Sequence, residues 1–278
     1  MILQKDITAW RATAPWPSAQ LVEHDLILSR AICELYQVPT IREHVVFRGG
    51  TALHKLFFKH AGRFSEDLDF VQIKAEPIGP IIKAIRNCLD PWLGQPKRKQ
   101  NQGRFILNYR FETEVEPIIT RKVKIEINTR EHFNVQPYVK KQFQIKNDWF
   151  QGDSQVTTYS LEELLATKLR ALYQRKKGRD LYDFWYAVQH VPNIDVHATV
   201  EIFLHYMQAE NSTVSRAEFE ENILMKQADP VFNHDITPLL SAQQVHEYDP
   251  QHAYQIVLND FIKKLPGEPW KGKKSHGQ

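Results

Sequence analysis

Residues 45–73 read VVFRGGTALHKLFFKHAGRFSEDLDFVQI, and the order of elements in this stretch decides the fold. VVFR is a short strand-type run that stops at Gly49 and Gly50. Beyond the glycines, Leu53, Leu56, Phe57 and His60 fall at i, i+3, i+4 and i+7, which predicts a helix closed by Gly62. SEDLDFVQI then alternates as a strand does, with Leu68 and Phe70 turned to one face and Ser65, Asp67 and Asp69 to the other. Strand, glycine turn, helix and strand follow each other closely enough to belong to one α+β unit.

The same reading extends outward on both sides. A helix is expected over Pro17–Tyr36, where Leu21, Leu28, Ile32 and Leu35 keep near-helical spacing and Pro39 follows the end. Pro80–Leu93 reads as another helix, and RFILNYRFE (104–112) and KVKIEIN (122–128) as strands of period two. From Ser160 the texture turns helical: Ser160 with Glu163 forms a capping-box pattern before LLATKLRALYQR, Gly178 separates that helix from DLYDFWYAVQ, and further helices are expected near 197–209, 215–227 and 250–264. The expected division is an α/β domain over 1–155, a helical domain over 156–265 and a polar basic tail over 266–278.

Composition narrows the classes. The chain has 278 residues, 42% of them hydrophobic, enough for a real core. No run approaches about 18 apolar residues, and MILQKDITAW lacks a basic start followed by an apolar stretch, so a cytoplasmic protein without membrane partners is expected. Cys33 and Cys88 have no His or Cys at ligand spacing, which excludes a disulfide framework or zinc knuckle. Net charge is only +3, yet residues 97–146 hold 12 Lys/Arg against 5 Asp/Glu, a local surplus that fits either a polyanionic partner or a solvated face. RKKGR (175–179) and KGKK (271–274) are smaller clusters of the same kind.

Asp67 and Asp69 project side by side, and two carboxylates so close repel unless a proton or cation lies between them. Alone, the pair fits an exposed acidic strand edge as well as a divalent metal. KVKIEIN adds Glu126 from a strand able to pair beside the first, with Lys122 and Lys124 on the same face, where they could also serve as plain cross-strand partners of Glu126. Three carboxylates suit metal-assisted phosphoryl transfer. Gly49 and Gly50 allow close backbone approach to a phosphate at a helix N-terminus, and Thr51 supplies a hydroxyl or a cap, although a tight turn alone explains a glycine pair. Lys168 lies among Leu164, Leu165, Leu169 and Leu172, and Asp180 and Asp183 open the next helix, where capping and dipole complementarity could account for both acids.

Taken in order, GGTAL (49–53), RFSEDLDF (63–70), KIEIN (124–128), LEELLATKLRAL (161–172) and RDLYDFW (179–185) resemble the nucleotidyltransferase-like toxins of abortive-infection and type IV toxin–antitoxin systems, the AbiEii/AbiGii family. The resemblance implies a polymerase-β-like nucleotidyltransferase fold, a small mixed sheet flanked by helices and followed by a helical domain. It implies that Gly49, Gly50, Thr51 and Ser65 bind nucleotide and that Asp67, Asp69 and Glu126 hold Mg²⁺ or Mn²⁺. Lys168 takes the place of a triphosphate-binding lysine, and Asp180 that of an acid in the [RK]DxxD element; Asp67, Asp69, Lys168 and Asp180 would form the catalytic set. The reaction implied is attack of a hydroxyl on the α-phosphate of an NTP with loss of pyrophosphate, the acceptor an RNA such as tRNA, and a cognate antitoxin the partner. The sequence departs from the family in two ways: fifteen residues separate Thr51 from Asp67, implying a longer helix or wider exit loop, and Glu126 replaces Asp. A small-molecule acceptor such as an aminoglycoside fits the same core. A metal-dependent nuclease fits less well, because its usual E-x-K order is reversed in Lys124-Ile-Glu126, and a non-catalytic nucleic-acid binder would gain nothing from the acids.

Overall fold

The computed structural model describes residues 2–272, so the end of the expected tail, with the last two lysines of KGKK, lies outside the described residues. The described residues form two compact units, one of 2–160 with 239–242, the other of 161–238 with 243–272.

In the first unit the order is α1 (Gln4–Trp10), α2 (Ala19–Gln37), α3 (Pro39–His44), β1 (Val45–Arg48), α4 (Gly49–Leu56), β2 (Asp67–Gln72), α5 (Gly79–Leu93), β3 (Lys97–Asn101), β4 (Arg104–Glu112), β5 (Thr120–Asn128), β6 (Val139–Lys146) and β7 (Gln151–Thr158). Among the described residues the strands make one seven-stranded mixed sheet in the order β3-β4-β5-β2-β1-β7-β6. β2 runs parallel to β5 and antiparallel to β1, and β4 and β3 extend the sheet as an antiparallel hairpin from β5. Alternation along the strands fills the core from one face: Leu68, Phe70, Leu107, Tyr109, Val123, Ile125 and Ile127 are all buried. Each such side chain contributes roughly 1.5–3 kcal/mol through removal from water. α2 packs against β5, β6 and β7, begun by Ser18, whose Oγ accepts from the Leu21 N–H at 3.3 Å. Its buried Asp25 accepts from the indoles of Trp10 and Trp16 at 2.9 and 3.0 Å and from Lys55 at 2.9 Å, tying α1, α2 and α4 together.

α4 stops at Leu56, short of the expected Gly62. The apolar spacing that predicted a longer helix serves a loop instead. Phe58 lies edge-on to His54 at 5.0 Å, and the Gly62 N–H donates to His54 Nδ1 at 3.1 Å, so residues 57–66 double back on the helix. The long interval between Thr51 and Asp67 is therefore a wide exit loop.

The second unit contains α6 (Leu161–Gln174), α7 (Gly178–His190), α8 (Val196–Ala209), α9 (Arg216–Gln227), α10 (Pro230–His234), α11 (Ala242–Glu247) and α12 (Pro250–Ile256), followed by a π turn over Val257–Phe261 and a 3-10 turn over Ile262–Lys264. Ser215 and Glu218 close a capping box on α9. Phe184 meets Phe261 at 4.8 Å and Tyr173 meets Phe219 at 5.0 Å in the aromatic core. No helix among the described residues is long and apolar enough to cross a membrane.

Candidate active site

The parallel register of β2 and β5 sets Asp67 against Lys124 and Asp69 against Glu126, on the face opposite the core. The three acids foreseen as a cluster are thus brought onto two neighbouring strands. Lys124 fills the space between them: its Nζ lies 3.3 Å from Asp67 and 2.9 Å from Glu126. Burial works to lower the Lys124 pKa, but the hydrogen bond to Glu126 and the charge of Asp67 outweigh it and the value lies above normal. Asp69 lacks such a contact; burial pushes its carboxyl above the ordinary aspartate value, the Asp67 charge adds to the rise, and Arg48 and Lys124 hold it partly down.

Gly49 takes a left-handed φ of 81°, and a Cβ there would come within 2.5 Å of Asp69 Oδ2. At Gly50 a Cβ would meet the Arg63 guanidinium at 2.4 Å. Gly49 is demanded by its left-handed backbone, while at Gly50 the space is taken by the end of the Arg63 side chain. Thr51 does not cap α4. Its Oγ1 lies 2.8 Å from Ser65 Oγ and donates to the Asp67 carbonyl at 2.5 Å, so that the first turn of the helix is tied to the start of β2. Gly49, Gly50, Thr51, Ser65, Asp67, Asp69 and Glu126 therefore form one continuous patch.

Arg48, Arg63 and Lys124 belong to this patch without having been singled out as site residues. Arg48 faces Asp69 across the β1–β2 pairing and bonds Glu131 at 2.8 Å, while buried Arg63 donates to the Phe64 carbonyl at 3.0 Å. Their signal in the sequence was only their adjacency to the glycines and acids.

In the second unit Lys168 is 6% exposed, and its Nζ lies 3.2 Å from Asp180 and 2.8 Å from Asp183, both fully buried. Arg175 adds bonds to both Asp180 oxygens at 2.7 and 2.8 Å. Burial works to raise the Asp180 pKa, yet Lys168 and Arg175 together bring it below normal. Asp180 is not the cap of α7, as the capping reading had it: Lys177 is the N-cap residue, and the Gly178 N–H is met by Asp235 Oδ1 at 2.9 Å. Lys226 donates to the Leu172 and Tyr173 carbonyls at the end of α6, and burial lowers its pKa to about 8.

By its family the chain is a nucleotidyltransferase. The chain belongs to the family of the nucleotidyl transferase AbiEii toxin of type IV toxin–antitoxin systems, which matches residues 30–256. Solved structures share the fold. MenT4, a nucleotidyltransferase toxin of Mycobacterium tuberculosis, is 15% identical over 94% of this chain and 91% of its own, with a TM-score of 0.60. JHP933 from Helicobacter pylori is 18% identical over 89% of this chain and 94% of its own, with a TM-score of 0.54. A comparison with curated proteins finds no match.

Proposed function

We propose that this nucleotidyltransferase toxin moves a nucleoside monophosphate from an NTP to an RNA acceptor, of which tRNA is the type, and that a divalent cation, Mg²⁺ or Mn²⁺, assists. The observation that carries the reading is the placement of Asp67, Asp69 and Glu126 in register on adjacent strands beside the Gly49–Thr51 turn.

Among the described residues no three His, Cys, Asp or Glu side chains stand gathered around one point as a metal site. Asp67 and Glu126 converge on the Lys124 ammonium instead, so this face already takes a cation. An all-oxygen donor set in which Asp69 sits buried beside the Asp67 charge suits a hard divalent ion, and Asp67, Asp69 and Glu126 would hold it. Such an ion would supply charge stabilisation to the phosphoryl group under attack.

The chain's own groups do the rest. Free N–H groups at the start of α4 receive phosphate oxygens, and Gly49 and Gly50 keep side chains out of the way. The Arg63 guanidinium, beside Gly50, adds positive charge where pyrophosphate charge develops. Ser65 and Thr51 fix the turn against β2, which holds phosphate and carboxylates in constant relation. A toxin of this family implies an antitoxin as its physiological partner.

The test is incubation of the purified protein with Mg²⁺, each α-labelled NTP in turn and total cellular RNA. A labelled RNA band is expected, lost in Asp67→Asn and in Asp69→Asn. Label that persists in both variants refutes the assignment, and label confined to a small-molecule acceptor refutes the RNA.

A further inference from the structure

The open face of the sheet continues past the acids. Antiparallel pairing puts Lys97 opposite Asn108 and Asn108 opposite Lys124, which pairs with Asp67; one residue row thus runs across β3, β4, β5 and β2. The adjacent row is Lys99, Ile106, Glu126 and Asp69. Arg110 and Lys122 pair on the same face one step further along, and Arg104 one step the other way. Lys97, Lys99, Arg104, Arg110 and Lys122 are all exposed. Arg104 reaches Glu126 at 3.3 Å, while Lys97, Lys99, Arg110 and Lys122 have no carboxylate partner among the described residues. The acids beyond the trio are Glu112, at the far end of β4, and Glu66, which lines one hollow with Arg110 and Lys122 without pairing to either.

Four unspent cations on one flat face are an electrostatic footprint. A protein partner would need a dehydrated apolar or aromatic centre to anchor on. Between these cations the face offers only Ile106, because the aromatic residues of β4 are turned the other way. Phosphates require nothing but the cations. Strand spacing sets the β3 lysines roughly 14 Å from the acids, about four nucleotide steps at duplex rise.

We infer that the open face of β3, β4 and β5 is the track on which the RNA acceptor lies, held by its phosphates and leading its reacting end to Asp67, Asp69 and Glu126. This rests on the proposed function for the nature of the acceptor. Recognition along the track is through phosphates and therefore blind to base sequence.

The test measures binding of fluorescein-labelled bulk tRNA by anisotropy, without NTP, at several salt concentrations. Lys97→Glu with Lys99→Glu should weaken binding at least about tenfold and reduce the slope of log K against log salt by about 1.5, the share of two phosphate contacts. Arg110→Glu with Lys122→Glu should act alike, with melting temperature unchanged in both. Lys140→Glu with Lys146→Glu on β6 makes the same change in net charge and should have little effect. Equal losses in all three variants would mean that only overall charge matters and would overturn the inference. So would intact tRNA binding in the β3 variant alongside lost binding of polyglutamate, which would make the face a seat for an acidic protein. Wild-type protein that binds tRNA on this face but adds no nucleotide would defeat the proposed function and leave the track standing.

Discussion

Asp67 stands opposite Lys124 in the parallel pairing of β2 with β5, and the lysine ammonium meets its Oδ2 at 3.3 Å. The same ammonium bonds Glu126 at 2.9 Å, so an internal cation competes for the carboxylates proposed to hold a divalent ion. Lys124→Ala should therefore tighten Mg²⁺ binding to the NTP-free protein, by about three- to tenfold, equivalent to roughly 0.7–1.4 kcal/mol. Calorimetric titration with Mg²⁺ alone is the measurement. Unchanged or weaker binding would show that Lys124 and the ion do not share these acids.

How much of this was legible in the sequence depends on what kind of signal each part carries. β2, β4 and β5 stand where their alternation placed them, because each buries mainly one face and so prints a period of two, whereas β1 was legible as an apolar run, with Val45, Val46 and Phe47 all buried. β3 prints nothing: KRKQN is exposed at every residue and holds its place by backbone bonds to β4, as a lysine-rich edge strand does. β7 is equally silent, QGDSQVTT having one apolar residue, Val156. β6 carries a weak alternation in Val139, Phe143 and Ile145 that was open to notice. The three acids were legible as residues, but their registration needed the β2–β5 pairing, and the intrusion of Lys124 between them needed coordinates. The capping alternative for Asp180 could not be settled from sequence, because position relative to a glycine says nothing about the cation one helix earlier.

Gly49→Ala tests the turn. A non-glycine residue at φ 81° is strained by roughly 1–2 kcal/mol, and its Cβ would press on Asp69 Oδ2 at 2.5 Å. The carboxylate must then move, so transfer activity should fall by more than the loss of stability explains. Chemical denaturation beside initial rates separates the two. Full activity in a destabilised Gly49→Ala protein would mean that Asp69 is free to shift.

Arg48 pairs with Glu131 at 2.8 Å and also faces Asp69, so the two partners are not equivalent. Arg48→Met takes the same guanidinium from Glu131 and from the neighbourhood of Asp69 and should cost about 2–4 kcal/mol. Glu131→Gln leaves Arg48 to Asp69 and should cost less, on the order of 1–2 kcal/mol as a lost charged hydrogen bond. Urea melts of both variants at neutral pH measure the difference. Equal costs would show that Asp69 draws nothing from Arg48.

Asp180 is the residue for which structure most changes the expected result. As a cap it would contribute about 1 kcal/mol; as a fully buried carboxylate bonded to Lys168 and Arg175 it contributes more. Asp180→Ala leaves the Lys168 ammonium with Asp183 alone and should destabilise by about 3–5 kcal/mol. The pH dependence gives a second reading. Burial acts to raise the Asp180 pKa, Lys168 and Arg175 overcome it, and the folded value lies below the 3.8 of the unfolded chain. Below 3.8 the unfolded state binds a proton that the folded state refuses, so the stabilisation is complete above that pH and drains away as pH falls through the folded pKa. Wild-type stability should thus decline more steeply than that of Asp180→Ala as pH falls below 3.8, measured by urea denaturation at fixed salt. Parallel declines would mean that the ion cluster does not hold Asp180 in its charged form. Unchanged melting with lost transfer would move Asp180 from positioning Lys168 to the chemistry itself.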